Sequence, residues 1–168
     1  MADSKVEMYI KSITSSLEKI VETIETISEE EIRWNPSTEE WSILQILSHI
    51  NESTFFWLSE LDAILERPGF EWGRGLQHDE RLAAVNSPDE LKVAEVIPKI
   101  KGLKQEIINR LSQVSDERLL EENPHRNYKK FGDKPISFLI EHFLVDHMEG
   151  HYHQIQRNLS KFKDTTSK

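Results

Sequence analysis

The chain has 168 residues, the length of one ordinary domain, and we expect a single domain over 1–168. Lys and Arg number 21 against 30 Asp and Glu, a formal net charge of −9 that argues against a nucleic-acid partner. The absence of cysteine excludes a disulfide framework, a thiolate zinc site and a cysteine nucleophile. No apolar run approaches the ~20 residues that span a bilayer. Since the first residues are also too polar for a secretory signal, we expect a cytoplasmic protein without a membrane segment.

The first long segment carries apolar residues at alternating spacings of four and three, which is typical of an amphipathic helix. This stripe consists of Val6, Ile10, Ile13, Leu17, Ile20, Ile24 and Ile27. Ser4 and Glu7 have the spacing of a capping box at its start, and Trp34-Asn35-Pro36 ends the pattern. The pattern predicts one helix over 4–32.

The second helix has clear signals at both ends. Ser42 and Gln45 form another capping-box pattern, and Pro68-Gly69 stops the apolar stripe. We predict a helix over 42–66. The segment that follows, 67–87, is polar and glycine-rich. It is long enough to return to the start of the bundle, so the second and third helices can run parallel.

Two further helices complete the pattern. The third is predicted over 87–114, with Ser87 as its N-cap and a bend or a split at Pro98. The fourth is predicted over 137–162, after a loop that could hold a short hairpin through 128–131. Four amphipathic helices without a convincing strand predict an all-α fold, a four-helix bundle with a long crossover between helices two and three.

Two of the seven histidines share the apolar face of the fourth helix. His147 and His151 fall among its buried positions on a helical wheel, and because they are four residues apart their rings lie one above the other. This is a spacing at which two imidazoles on one helix bind one metal ion. The alternative is that each is a core histidine with hydrogen-bonded ring nitrogens. Both would then need partners in an apolar interior, where an unsatisfied polar group costs about 1–3 kcal/mol.

His49 on the second helix is the strongest candidate for a third ligand. It lies at the flank of the apolar stripe, where it can face an adjacent helix. If helices two and four are antiparallel, His49 and the His147–His151 pair lie at roughly 10 and 18 Å from neighbouring helix ends. An overhang of the helix ends could absorb this difference.

Several short motifs resemble the DinB-like superfamily, which includes YfiT-type metal-dependent hydrolases and bacillithiol S-transferases. The motifs are Trp41-Ser42, Ser48-His49-Ile50, and Asp146-His147-Met148-Glu149-Gly150-His151 followed by Gln154-Ile155. The resemblance implies an up-down-down-up four-helix bundle. It also implies a divalent metal ion, nickel or zinc, at His49, His147 and His151, and a homodimer.

A site of three histidines leaves a coordination position open for water or an external thiol. We therefore expect a metal-dependent enzyme that acts on a small-molecule substrate, by hydrolysis or by transfer of a low-molecular-weight thiol to a small electrophile. Position 148 is Met, so the general base of the His-Glu-x-x-His peptidases is missing. The alternatives are a catalytically silent, metal-stabilised dimeric binding module and a metal-free helical interaction protein.

Three other features have both a functional and a structural interpretation. Glu52, one turn after His49, could orient a ligand or be a solvated charge. Aromatic residues of the second helix and the connection could line a substrate mouth or close the core; they are Phe55, Phe56, Trp57, Phe70 and Trp72. The basic run 125–130 could attract an anionic substrate or form a solvated loop.

Overall fold

The computed structural model describes residues 4–166, most of which are helical. The helices are α1 Lys5–Ile24, α2 Glu29–Arg33, α3 Ile43–Glu66, α4 Asp79–Asn86, α5 Val93–Leu111, α6 Tyr128–Phe131, α7 Ile136–Ile140 and α8 Asp146–Thr166. Short 3₁₀ turns cover Pro88–Glu90 and Asp116–Leu120, and a π-helical turn covers Glu141–Val145. Strands β1 Glu122–Pro124 and β2 Asp133–Pro135 pair antiparallel.

The bundle has four members: α1, α3, α5 and the continuous unit from α7 to α8. Tyr9 hydrogen-bonds to Glu141 and Thr23 to Gln156, so α1 and α8 run parallel. Two other pairs are antiparallel, α1 with α5 and α3 with α8. They are joined by Glu18–Lys104, Glu25–Lys101, His49–His147 and Trp41–Asn158. The order is therefore up-down-down-up, which confirms the predicted all-α four-helix bundle with its long crossover.

Helix one is shorter than predicted. The expected helix over 4–32 ends at Ile24, and a separate helix, α2, starts at Glu29. The side chain of Ser28 accepts the Glu31 backbone N–H, and Glu31 returns a bond to the Ser28 backbone. This second capping box competes with continuation of the helix, and the apolar stripe cannot reveal it because Ile27 keeps the helical spacing.

Helix three also starts later than predicted. Ser87 makes no side-chain cap, residues Pro88–Glu90 form the 3₁₀ turn, and α5 begins at Val93. The break falls at residues 91–92, before Pro98, which lies inside α5 without splitting it. The predicted helix over 42–66 is observed as Ile43–Glu66, with Ser42 and Gln45 forming the expected capping box.

Helix four is interrupted by the π-helical turn. The prediction over 137–162 treats it as one regular helix, whereas the helix starts at Ile136, passes through Glu141–Val145 and reaches Thr166. A π turn adds a residue and rotates the side chains before it relative to those after it, which a wheel with constant spacing cannot represent. The hairpin expected through 128–131 is also placed differently. Those residues are helical, and the paired strands flank them.

Candidate metal centre

The three candidate histidines lie on the two antiparallel helices α3 and α8. His49 is in the second turn of α3, whose start is held by the buried Ser42–Gln45 capping box. The Gln45 side chain also donates to the Val85 carbonyl at 2.9 Å, so α4 is tied to the same end of α3. Asn158 of α8 donates to the Trp41 carbonyl at 2.8 Å, which holds α8 alongside this end of α3.

The ring nitrogens of the three histidines converge. Nε2 of His147 lies 3.1 Å from Nε2 of His49 and 2.9 Å from Nε2 of His151. One nitrogen from each residue lies within 4.8 Å of the other two. Three nitrogens bound to a tetrahedral zinc ion at 2.0–2.1 Å are about 3.3 Å apart, close to these separations. The rings are therefore near enough to contact one common atom, and the predicted difference in depth between the two helices does not keep them apart.

All three rings favour the neutral form. Burial, with smaller contributions from His151, Arg81 and Arg74, lowers the pKa of His49 to about 3. The pKa of His147 falls to about 2, again mainly through burial and secondarily through the other two histidines. Burial also lowers the pKa of His151, against a smaller opposing effect of its hydrogen bond to Gln154. Neutral imidazole is the form that binds a metal ion.

The hydrogen bonds around the rings fit a cation better than direct contacts between histidines. His151 Nδ1 lies 2.8 Å from Gln154 Oε1, an acceptor, so Nδ1 carries the proton and Nε2 a lone pair. The single proton or lone pair on His147 Nε2 cannot align with both neighbouring rings. Among the described residues, the buried His49 Nδ1 has no hydrogen-bond partner. A cation between the three Nε2 atoms would accept all three lone pairs, so the donor set fits a divalent metal ion.

A cleft of about 320 Å³ gives access to the histidines. Its walls are largely aromatic, and Trp41 lies against His49 with the ring centroids 5.0 Å apart. Trp57 and Phe143 stack at 4.0 Å and also line the cleft. Two of the aromatic residues predicted to line a substrate mouth or to close the core differ in position. Trp57 is buried and also lines the cleft, whereas Trp72 is buried in the core.

Two arginines complete the cleft. Arg74 makes two hydrogen bonds to the Glu52 carboxylate, at 2.6 and 2.7 Å, and only 4% of its side chain is exposed. Glu52 therefore holds Arg74 and has no contact with His49 that would orient its ring. Arg81, also in the wall, donates to the Leu76 carbonyl. None of the described residues lining this cleft is Asp or Glu.

The roles of Gln154 and of both arginines were not predicted from the sequence. Gln154 had a usable signal, because a residue three positions after His151 lies on the same side of the helix. Arg74 had none, since it stands in the aperiodic Gly73-Arg74-Gly75 stretch, and its partner Glu52 is 22 residues away.

Comparison with known proteins identifies the family. The model of the DinB superfamily matches residues 13–155, and the chain belongs to this superfamily. A solved structure, YfiT from Bacillus subtilis, is similar with a TM-score of 0.73 at 12% identity, covering 95% of this chain and 91% of that one. That protein is described as a probable metal-dependent hydrolase with an unusual four-helix bundle topology. No curated protein matches the chain significantly in sequence. Among the described residues no helix is long and apolar enough to cross a membrane.

Proposed function

We propose that this chain is a metal-dependent enzyme in which His49, His147 and His151 bind one divalent metal ion, nickel or zinc. The observation that carries the proposal is the convergence of three neutral Nε2 atoms, on the buried His49 and the half-buried His147 and His151, beside an open cleft. The membership of the DinB superfamily and the fold shared with YfiT support it. The homodimer implied by the family resemblance stays a prediction.

The residues around the histidines have distinct tasks in this proposal. A divalent metal ion, when bound, supplies Lewis acidity that lowers the pKa of a water or thiol ligand. Gln154 accepts the Nδ1 proton of His151 and so keeps its Nε2 free to bind. Trp41, Trp57 and Phe143 exclude bulk water from the cleft, which strengthens electrostatic interactions inside it. Arg81 lies where it can attract a negatively charged reactant.

The reaction is hydrolysis of a small molecule or transfer of a low-molecular-weight thiol to a small electrophile. Since the chain has no cysteine, the thiol in the second case comes from solution. The lack of a carboxylate among the described cleft residues favours a second candidate, a catalytically silent module that binds metal for stability. Turnover of thiol and ester panels by the metal-loaded protein separates these two.

The first test is the metal content of protein purified without a histidine tag. We expect about one metal ion per chain by mass spectrometry, and a content near zero in His147→Ala. His153→Ala is the matched control, because His153 lies on the same helix but is exposed and pairs with Glu149 at 3.7 Å. Equal metal content in wild type and His147→Ala would contradict the proposed site.

A further inference from the structure

A second, larger cavity adjoins the histidine cleft. It has a volume of about 1000 Å³ and lies between residues 73–78 of the long connection and residues 125–131 of the later loop. Both cavities are lined by Arg74, Gly75, Leu76 and Phe143. A molecule that fills the larger cavity is therefore adjacent to the space above the histidines.

The walls of this cavity combine cations with aromatic rings. Arg74, Arg126 and Lys130 line it, and none of its described lining residues is Asp or Glu, although the whole chain has a net charge of −9. Phe56 and Phe131 provide apolar surface. Such a combination fits a ligand with an apolar body and a negatively charged group.

Two of the three cations keep positive charge available for a ligand. Arg74 is neutralised by its paired hydrogen bonds to Glu52. Arg126 is 3.9 Å from Glu60 Oε1, beyond hydrogen-bond distance, and 51% of its side chain is exposed. Lys130 lies over the Phe131 ring with its Nζ 5.2 Å from the centroid. Arg126 and Lys130 are thus the charges that attract an anion.

His125 contributes a neutral ring to the same wall. Its Nδ1 accepts the Asn127 backbone N–H at 2.9 Å, so the neutral ring carries its proton on Nε2. The ring is buried, and burial lowers its pKa. It packs against Gly73 so closely that a Cβ there would lie 2.2 Å from Nε2. The glycine therefore makes room for this imidazole beside the cavity.

We infer that this cavity binds the anionic end of the substrate, a carboxylate or phosphate on an apolar body, and so directs the other end to the histidine cleft. The assignment of the bound molecule as substrate rests on the proposed function. Anion binding by the cavity itself does not depend on a metal ion, so the two can be tested separately.

The test is calorimetric titration with phenyl phosphate, phenylacetate and the neutral phenylacetamide. We expect both anions to bind and the amide to bind far more weakly, and a preference between the anions tells phosphate from carboxylate. The double variant Arg126→Gln/Lys130→Gln should weaken anion binding by roughly two- to fivefold for each charge removed. Lys130→Gln alone should show the two- to fivefold loss of a single charge. Lys129→Gln is the matched control, because it removes the same charge one residue away, outside the cavity wall.

The variant His147→Ala distinguishes failure of the inferred anion site from failure of the proposed metal site. Retained anion binding in this variant supports the cavity whether or not the wild type holds metal. Anion binding that vanishes in His147→Ala would place the anion at the histidines and overturn the inference while supporting the metal site. Equal binding of the amide, equal weakening by Lys129→Gln, or no binding of either anion would also overturn it.

Discussion

Single side chains decide whether three histidines can act as ligands. Gln154 fixes the proton of His151 on Nδ1, and hydrogen bonds of this kind set the orientation and basicity of metal-binding imidazoles. The rings themselves need burial to stay neutral. The chemistry of the candidate centre thus depends on residues beside the ligands as well as on the ligands.

Replacing Gln154 tests this role. Gln154→Leu removes the acceptor and keeps the approximate size, so we expect zinc affinity to fall roughly 10- to 100-fold in competition with a chromogenic chelator. Gln156→Leu should leave the affinity unchanged, because Gln156 contacts Thr23 on α1 instead of a histidine. Unchanged affinity in Gln154→Leu would remove Gln154 from the site.

Glu60 makes the free energy of unfolding depend on pH, and the direction of this dependence follows from the shift of its pKa. Burial is the largest cause that raises the pKa of its carboxyl above the ordinary value of 4.5, against the Gly73 N–H and nearby cations. Between 4.5 and the raised pKa the folded state binds more protons than the unfolded state. The contribution of Glu60 to the free energy of unfolding is therefore complete below this window and is lost as the pH rises through it.

Urea unfolding at a series of pH values from about 4 to 8 measures this contribution. We expect wild type to lose stability relative to Glu60→Gln as the pH rises, since glutamine keeps the Oε1 acceptor for Gly73 without ionising. Glu66→Gln, at the exposed end of α3, should run parallel to wild type. Parallel curves for wild type and Glu60→Gln would show that Glu60 has an ordinary pKa.

At the scale of elements, the long connection is held in place at specific points. Gly73 has a φ of 101°, and its lack of a side chain leaves room for the His125 ring. The Gly73 N–H donates to Glu60 at 2.9 Å. Trp72 forms an isolated bridge with His125 and is buried. The segment that forms both cavity walls is thus attached to the helices and the later loop.

Two neighbouring glycines provide a matched pair for this attachment. Gly73→Ala should cost about 2–4 kcal/mol in the free energy of unfolding, because a Cβ strains the left-handed backbone and overlaps the His125 ring. Gly75→Ala meets no atom within 4 Å and should stay within about 0.5 kcal/mol of wild type. Equal effects in urea unfolding would mean that the connection is not anchored at Gly73.

On the scale of the whole molecule, the proposed metal ion would join two members of the bundle. His49 is 98 residues from His147 in sequence, and their contact connects α3 to α8. Because the unfolded chain lacks this arrangement, metal binding stabilises the folded state.

Thermal unfolding measures this linkage. Zinc at about 100 times its Kd should stabilise wild type by about 2.7 kcal/mol, and removal of the metal by a chelator should reverse the rise in Tm. His147→Ala should show no zinc-dependent rise. A rise of the same size in that variant would mean that zinc binds elsewhere.

Helices, caps and the His147–His151 pair could be predicted because they depend on residues within four positions of one another. The Ser42–Gln45 box and the His147–His151 spacing are examples. His49 was a candidate from its place at the flank of the apolar stripe, and the resemblance to known motifs implied the same residue. The break after Ile24 and the π turn before Asp146 escaped prediction because the apolar spacing continues through both.

Contacts across the bundle were decided by tertiary structure alone. The pairing of Arg74 with Glu52, the orphaned His49 Nδ1 and the cavity between residues 73–78 and 125–131 arise where segments distant in sequence meet. Such long-range contacts produce no periodic pattern in the sequence, since they follow from how the helices pack and where the long connection is anchored. The sequence therefore supplied the candidate ligands, whereas packing set their separation, their protonation and the shape of the space in front of them.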